Sequence, residues 1–322
     1  MAYLDEDDAR QGNPAFVLVF GVIAAIALPL AAGRGLVGAS FADAASAGKL
    51  AGGMFANVLI ICIGVYFLGL RRCPRAWCKP ALAIVGTVAA FFTLVGVGAA
   101  NYAVQQDLVR SLSQTRTVLG GDRSNLEPGT DAGPLTRMNA ASLNAILAQS
   151  RAFDADAEAA GLKQILMLDI PGRGSPVLKH CDAFRALGDE ARTDSRMIDR
   201  AFGPGVAIGR AAEEKGELPA GTTNDWIRGS KMTEPLAVRK WTLSADIADH
   251  ARSVCATLSS RPWLRQDARV MFVHAADSIA VNRSLQQVQA DFAEINAIDA
   301  RSAKDLSGAI QSAQARMTRM SQ

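Results

Sequence analysis

"RRCPRAWCKP", residues 71–80, interrupts a long apolar tract with four positive charges, Arg71, Arg72, Arg75 and Lys79, and two cysteines, Cys73 and Cys78. The run before it, LAGGMFANVLIICIGVYFLGL (50–70), carries no charge, and the chain is again uncharged from Ala81 to Val104. Each run is long enough to cross a hydrocarbon core of about 30 Å as a helix. The stretch therefore reads as a charged turn between two membrane helices.

A third uncharged run, AFVLVFGVIAAIALPLAAG (15–33), precedes these two. Its small residues near "LPLAAG" suit a signal-peptide cleavage site, yet the leader MAYLDEDDAR carries Asp5, Glu6, Asp7 and Asp8 against Arg10 alone. A secretory leader is positively charged, so the run reads as a retained helix. Pro29 stands near its end, where a kink is tolerated. Residues 15–104 are thus expected to form a three-helix transmembrane region behind an acidic leader, residues 1–14.

Lys and Arg in short loops resist translocation, whereas acidic residues count for little. The first loop, 34–49, holds only Arg34 and Lys49, so the cluster Arg71, Arg72, Arg75 and Lys79 sets the orientation. The basic hairpin 71–80 and the N-terminus are expected in the cytoplasm, and residues 105–322 outside it. The protein then belongs to the inner membrane of a bacterium, a source suggested by the Ala- and Arg-rich composition. With Gln322 read as outside, the cytoplasmic portion is the leader and the hairpin.

This placement bears on Cys73 and Cys78. Their C-x4-C spacing is not the tight pair of a zinc knuckle, and all three histidines lie beyond residue 104. Cytoplasmic thiols are kept reduced, so the hairpin reads as a topological anchor with incidental cysteines. Within the apolar runs Asn57 and Asn101 are the only strongly polar side chains. Proton relays, ion-coupled transport and haem ligation ordinarily need ionisable or ligating groups there. Gly86 with Ala90, and Gly96 with Ala100, would let helices approach closely.

Beyond residue 104 the composition is that of a soluble domain, with 27 Lys and Arg against 26 Asp and Glu. Such a balance leaves no basic footprint for nucleic acid. The periodicity is helical almost throughout. The third membrane helix should continue to about residue 119 as one rod, coupling the bilayer to the outer domain. GGDRSNLEPGTDAGP (120–134) follows as a turn-rich loop. Its acidic residues do not match the calcium-loop spacing.

Further helices are expected over about 135–169, from Ser175 and Pro176 to Phe202, and over 236–260. Between the last two, 203–235 reads as a long loop with a short helix near Ala207–Lys215. The final helix should run from about Gln266 to Met320. Val270, His274, Val281, Leu285, Val288, Phe292, Ile295, Leu306 and Ala313 keep near-heptad spacing along it, a coiled-coil-like seam. Part of that seam is expected to meet a partner chain or a second copy. No β-hairpin is expected. The fold class is an all-α membrane protein: three transmembrane helices carrying an extracytoplasmic antiparallel helical bundle with a long C-terminal helix.

Chemistry is sparse in the bundle. Cys181 and Cys255 are the only cysteines on the expected outer side, an even pair where oxidation is permitted, and are expected to form a disulfide. That bridge could bring His180 and His250 together with Asp182, Asp246 or Asp249, but no ligand spacing supports a metal site. "GRGSP" (172–176) lacks the phosphate-loop pattern, and no nucleophile elbow occurs. Trp226, Trp241 and Trp263 read as core seals at element ends. No catalytic residue, metal or cofactor is expected. Two functions fit: a non-enzymatic structural or accessory subunit of an envelope assembly, or a receptor-like sensor signalling through a separate partner. The second resembles the helical periplasmic domains of bacterial chemoreceptors and sensor kinases in general architecture, with no shared motif. The expected partners are the lipid bilayer and other membrane or envelope proteins, a second copy of this chain included, with no nucleic acid.

Overall fold

Apolar periodicity near 3.6 residues dictates helices, and helices account for nearly all of the regular structure. The computed structural model describes residues 14–32, 36, 44–73, 75–266 and 269–320. Two compact units divide the chain. One comprises the chain through Leu108 with Arg210–Thr222 and Ala313–Gln322; the other comprises Val109–Gly209 and Thr223–Ser312.

The first unit contains α1 (Pro14–Ala32), α2 (Ala44–Leu68) and the first part of α3 (Arg75–Leu119). Two of these are long and apolar enough to cross a membrane, over Gly48–Leu68 and within Ala76–Leu119. The expectation of three such helices is corrected here. In α1 the apolar segment is Ala15–Ala31, which rises only about 25 Å at 1.5 Å per residue. The residues preceding Pro14, including the acidic leader, lie outside the described residues.

The three helices nevertheless share one core. Ala25 of α1, Ile61 and Val65 of α2, and Ala81, Val85 and Ala89 of α3 are buried together with Leu70. At Gly21 α1 packs closely on both partners, since a Cβ there would lie 3.0 Å from Val85 and 3.1 Å from Val65. The opposite faces stay apolar and exposed, through Phe16, Phe20 and Ile23 on α1, Phe55, Ile60 and Phe67 on α2, and Phe91 on α3. A single 3-10 turn, Leu70–Arg72, joins α2 to α3. Helix α3 begins six residues before the expected Ala81 and takes Pro80 into its opening turns. Pro80 is the sixth residue of the helix, past the four N–H groups that lack an intrahelical acceptor, so its missing N–H costs the helix one i→i−4 bond.

The second unit holds α4 (Pro134–Ala159), α5 (Leu162–Leu166), α6 (Asp182–Ala201), most of α8 (Thr222–Ser260) and most of α9 (Ala275–Met320). Helix α7 (Gly203–Glu214) begins in this unit. The helix expected over 135–169 stops at Ala159 because Gly161 adopts φ 74°, a left-handed conformation open to glycine at little cost. The main core gathers Ile165, Ile170, Leu178, Phe184, Ala251, Val254, Leu258 and Val281 around the two cysteines and Trp263.

The short helix expected near Ala207–Lys215 is α7, but the loop expected around it over 203–235 is largely helical too, taken up by the start of α7 and the first turns of α8, with Pro235 inside α8. Glycine is a poor helix former, but here close packing outweighs propensity. A Cβ at Gly205 would lie 2.6 Å from the Met138 carbonyl oxygen and 3.2 Å from Trp226, and one at Gly209 would lie 2.6 Å from the Met138 side chain. Helices α4, α7 and α8 therefore meet where only glycine fits. Replacing Gly205 by Val should destabilise this unit by about 1–3 kcal/mol, read as a lower denaturant midpoint in the full-length protein. An unchanged midpoint would mean that the helices do not touch there.

A second correction concerns residues 263–272. Strands β1 (Trp263–Gln266) and β2 (Arg269–Phe272) form an antiparallel hairpin that pairs Trp263 with Phe272 and Leu264 with Met271. Trp263 is buried and donates its indole N–H to the Leu258 carbonyl at 2.7 Å. Leu264 and Met271 point the other way and are exposed, the period-two alternation of a ribbon covered on one face. The last helix accordingly starts at Ala275, leaving Val270 and His274 out of its seam. Along α9 itself Val281, Val288, Ile310 and Ala313 are buried within the chain.

The turn-rich segment before α4 is fastened to it. Asn144 accepts from the Leu126 amide at 2.8 Å and donates to its carbonyl at 3.0 Å. Arg151 donates to Asn125 at 2.7 Å, Arg123 pairs with Asp154, and Arg110 of α3 reaches Asp131 at 3.0 Å. The Ser124 backbone amide, its first partner, holds the Asp122 carboxyl below its ordinary range.

Candidate functional site

The sequence brings few reactive groups to the bundle, so their placement decides what it can do. Cys181 immediately precedes α6 and Cys255 lies in the buried stripe of α8. They stand at disulfide distance, with Cα atoms 5.6 Å apart, within the range a bridge requires. Val177, Leu178 and Phe184 on one side and Val254 and Leu258 on the other enclose them in the main core.

The histidines are not gathered by that pair. His250 Nε2 lies 3.9 Å from Asp291 Oδ2 on α9, while Asp249 pairs with Arg192 of α6. His180 and His274 are exposed. No group of three or more metal-ligating side chains forms among the described residues.

A cleft of about 1030 Å³ opens between the end of α4, α5, the segment leading to Pro176, and α6. Asp156, Glu158, Asp169, Glu190 and His180 face it. Glu190 is held above the ordinary carboxylate range, chiefly by burial and then by the charges of Asp156 and Asp194, and it shares a hydrogen bond with Asp156. Burial also raises Asp194. The two carboxyls stand side by side in the cleft wall. A pair of carboxyls by itself does not define a reaction. Sequence reading missed this cleft because Asp156 and Glu190 are separated by the whole of α5 and the α5–α6 connection.

The expected topology determinants are partly visible. Arg71 and Lys79 are exposed, while the side chains of Arg72 and Arg75 lie outside the described residues. Cys73 is buried and Cys78 half-buried, with sulfhydryls toward the carbonyls of Gly69 and Leu70. Burial, and then neighbouring Cys78, raises the Cys73 thiol above its ordinary range. A thiol held in that form is a poor nucleophile and a poor metal ligand. The tryptophans pack as core seals: Trp241 meets Phe153 edge to face at 5.4 Å, and Trp226 meets Phe202 at 5.8 Å.

These features define a class, an almost wholly helical protein with two candidate membrane-spanning helices and one disulfide-distance cysteine pair. Among protein-family models, curated proteins and solved structures, none matches this chain.

Proposed function

We propose that this chain is a non-enzymatic integral membrane subunit of a bacterial envelope assembly, presenting its helical bundle outside the cytoplasm as a docking domain. The supporting observation is the three-helix core whose outward faces remain apolar on every side. Such faces are costly in water but are at home among lipid tails. In this reading α1 is a third, shorter span, matched to the bilayer by local thinning or by its neighbours. The exposed Arg71 and Lys79, with Arg72 and Arg75 beside them in sequence, keep the α2–α3 turn in the cytoplasm.

Alkaline phosphatase, which is active only outside the cytoplasm, tests the orientation. Fused after Gln322 it should be active, and fused within residues 71–80 it should be inactive. The reverse pattern at equal expression would overturn the reading. The receptor-like alternative draws its support from the cleft between α4 and α6. It would have the bundle bind a small ligand and signal through a partner protein.

A further inference from the structure

No Lys or Arg lines the cleft between α4 and α6, and His180 is the only lining side chain able to carry positive charge. Four carboxyls line it: Asp156 and Glu158 at the end of α4, Asp169 after α5, and Glu190 on α6. Asp169 reaches Arg265 at 3.4 Å, whereas Asp156, Glu158 and Glu190 have no cationic partner among the described residues. Ser175 is an independent mark of the same cleft. It lines the cavity and is only 8% exposed, yet its hydroxyl caps no helix and makes no hydrogen bond among the described residues. A hydroxyl so covered ordinarily has a partner, and here it borders an open cavity.

We infer that this cleft binds a small aliphatic polyamine, whose ammonium groups meet Asp156, Glu158 and Glu190 and donate to Ser175 while its methylene stem lies along Ala160, Val177 and Leu187. The volume, about 1030 Å³, is that of a site for a whole small molecule. The carboxyls are too dispersed for one metal ion, since no group of three or more metal-ligating side chains forms among the described residues. A cation spread over several atoms can reach them. Quaternary ammonium ions are recognised by aromatic faces, and no aromatic side chain lines the cleft. Amino acids and phosphorylated amines would bring an anion to a wall that holds no Lys or Arg to receive it.

The crowding at Glu190 points the same way. Burial first, and then the charges of Asp156 and Asp194, disfavour its ionised form, a cost that an ammonium group in the cleft would offset. The inference gives the receptor-like reading its ligand class but rests on the cleft alone. It holds in either orientation of the chain, so it and the phosphatase fusions fail independently.

Isothermal titration calorimetry with spermidine on the full-length protein in phosphatidylcholine nanodiscs tests it, with empty nanodiscs as the blank. One saturable site per chain is expected. Glu190→Gln should weaken binding about tenfold, and Asp156→Asn and Ser175→Ala each about threefold or more. Asp156 is exposed, which keeps the test open where replacing the half-buried Glu190 disturbs folding. Hexamethonium, which has no N–H to donate, should bind at least about tenfold more weakly than hexamethylenediamine. No saturation below about 1 mM spermidine overturns the inference. So does an affinity unchanged in Glu190→Gln, Asp156→Asn and Ser175→Ala, or equal binding of hexamethonium. A capped trilysine peptide that bound more tightly than spermidine would also overturn it, by making the occupant a protein segment.

Discussion

Replacing Cys181 and Cys255 together by Ala should lower the stability of the bundle by about 4 kcal/mol. A bridge between them spans 74 positions of sequence, and most of its effect is to restrict the unfolded chain. The enclosed segment contains α6, α7 and most of α8. Without the bridge, these must be held by packing and side-chain pairs with helices distant in sequence. In the full-length protein, the thermal midpoint followed by circular dichroism should fall by about 10 °C. A reducing agent should reproduce that shift in the wild type and leave the double variant unaffected. If oxidised and reduced wild type melt alike, no bridge forms, and the two thiols are simply buried neighbours.

Phe184→Ala should have a comparable effect, about 3–5 kcal/mol. Phe184 is fully buried at the start of α6, in the core that also takes Ile165, Val254, Leu258 and Trp263. Removing its ring leaves a void that side chains on α5, α8 and β1 would have to fill, and close-packed interiors relax only partly. The denaturant midpoint of the variant should drop, whereas Phe184→Leu should recover more than half of the loss. Phe184 and the cysteines share one core, so combining the ring deletion with loss of the bridge should not give a simple sum. A midpoint unmoved by Phe184→Ala would place this side chain at a surface.

Periodicity made the long helices legible. Uncharged runs marked α2 and the first part of α3, and the alternation of Leu243, Ile247, Ala251, Val254 and Leu258 marked the buried face of α8. Cysteine parity pointed to Cys181 and Cys255, which stand at disulfide distance. What escaped were features fixed by contacts distant in sequence. Gly205 read as a loop residue, because nothing local records that Met138 and Trp226 need the space a side chain would fill. The hairpin escaped for a different reason. Four-residue strands give too brief an alternation to outweigh the helix-forming residues around them, and the cross-strand pairing that separates the two readings leaves no local mark. The cleft was equally hidden, since Asp156 and Glu190 have no sequence signature as a pair.

The segment between α3 and α4 carries the composition of a flexible connector, yet its Leu126 amide and carbonyl are both taken by one asparagine side chain. Proteases bind their targets as extended strands, so a cut there requires Asn144 to release both groups first. The ion pairs at Arg110 and Arg123 are exposed and add little to that resistance. Asn144 is therefore the latch. The place where glycine and proline most invite a nick is one where the backbone is withheld from the enzyme, and limited digestion of the folded chain would underreport its longest stretch of turns.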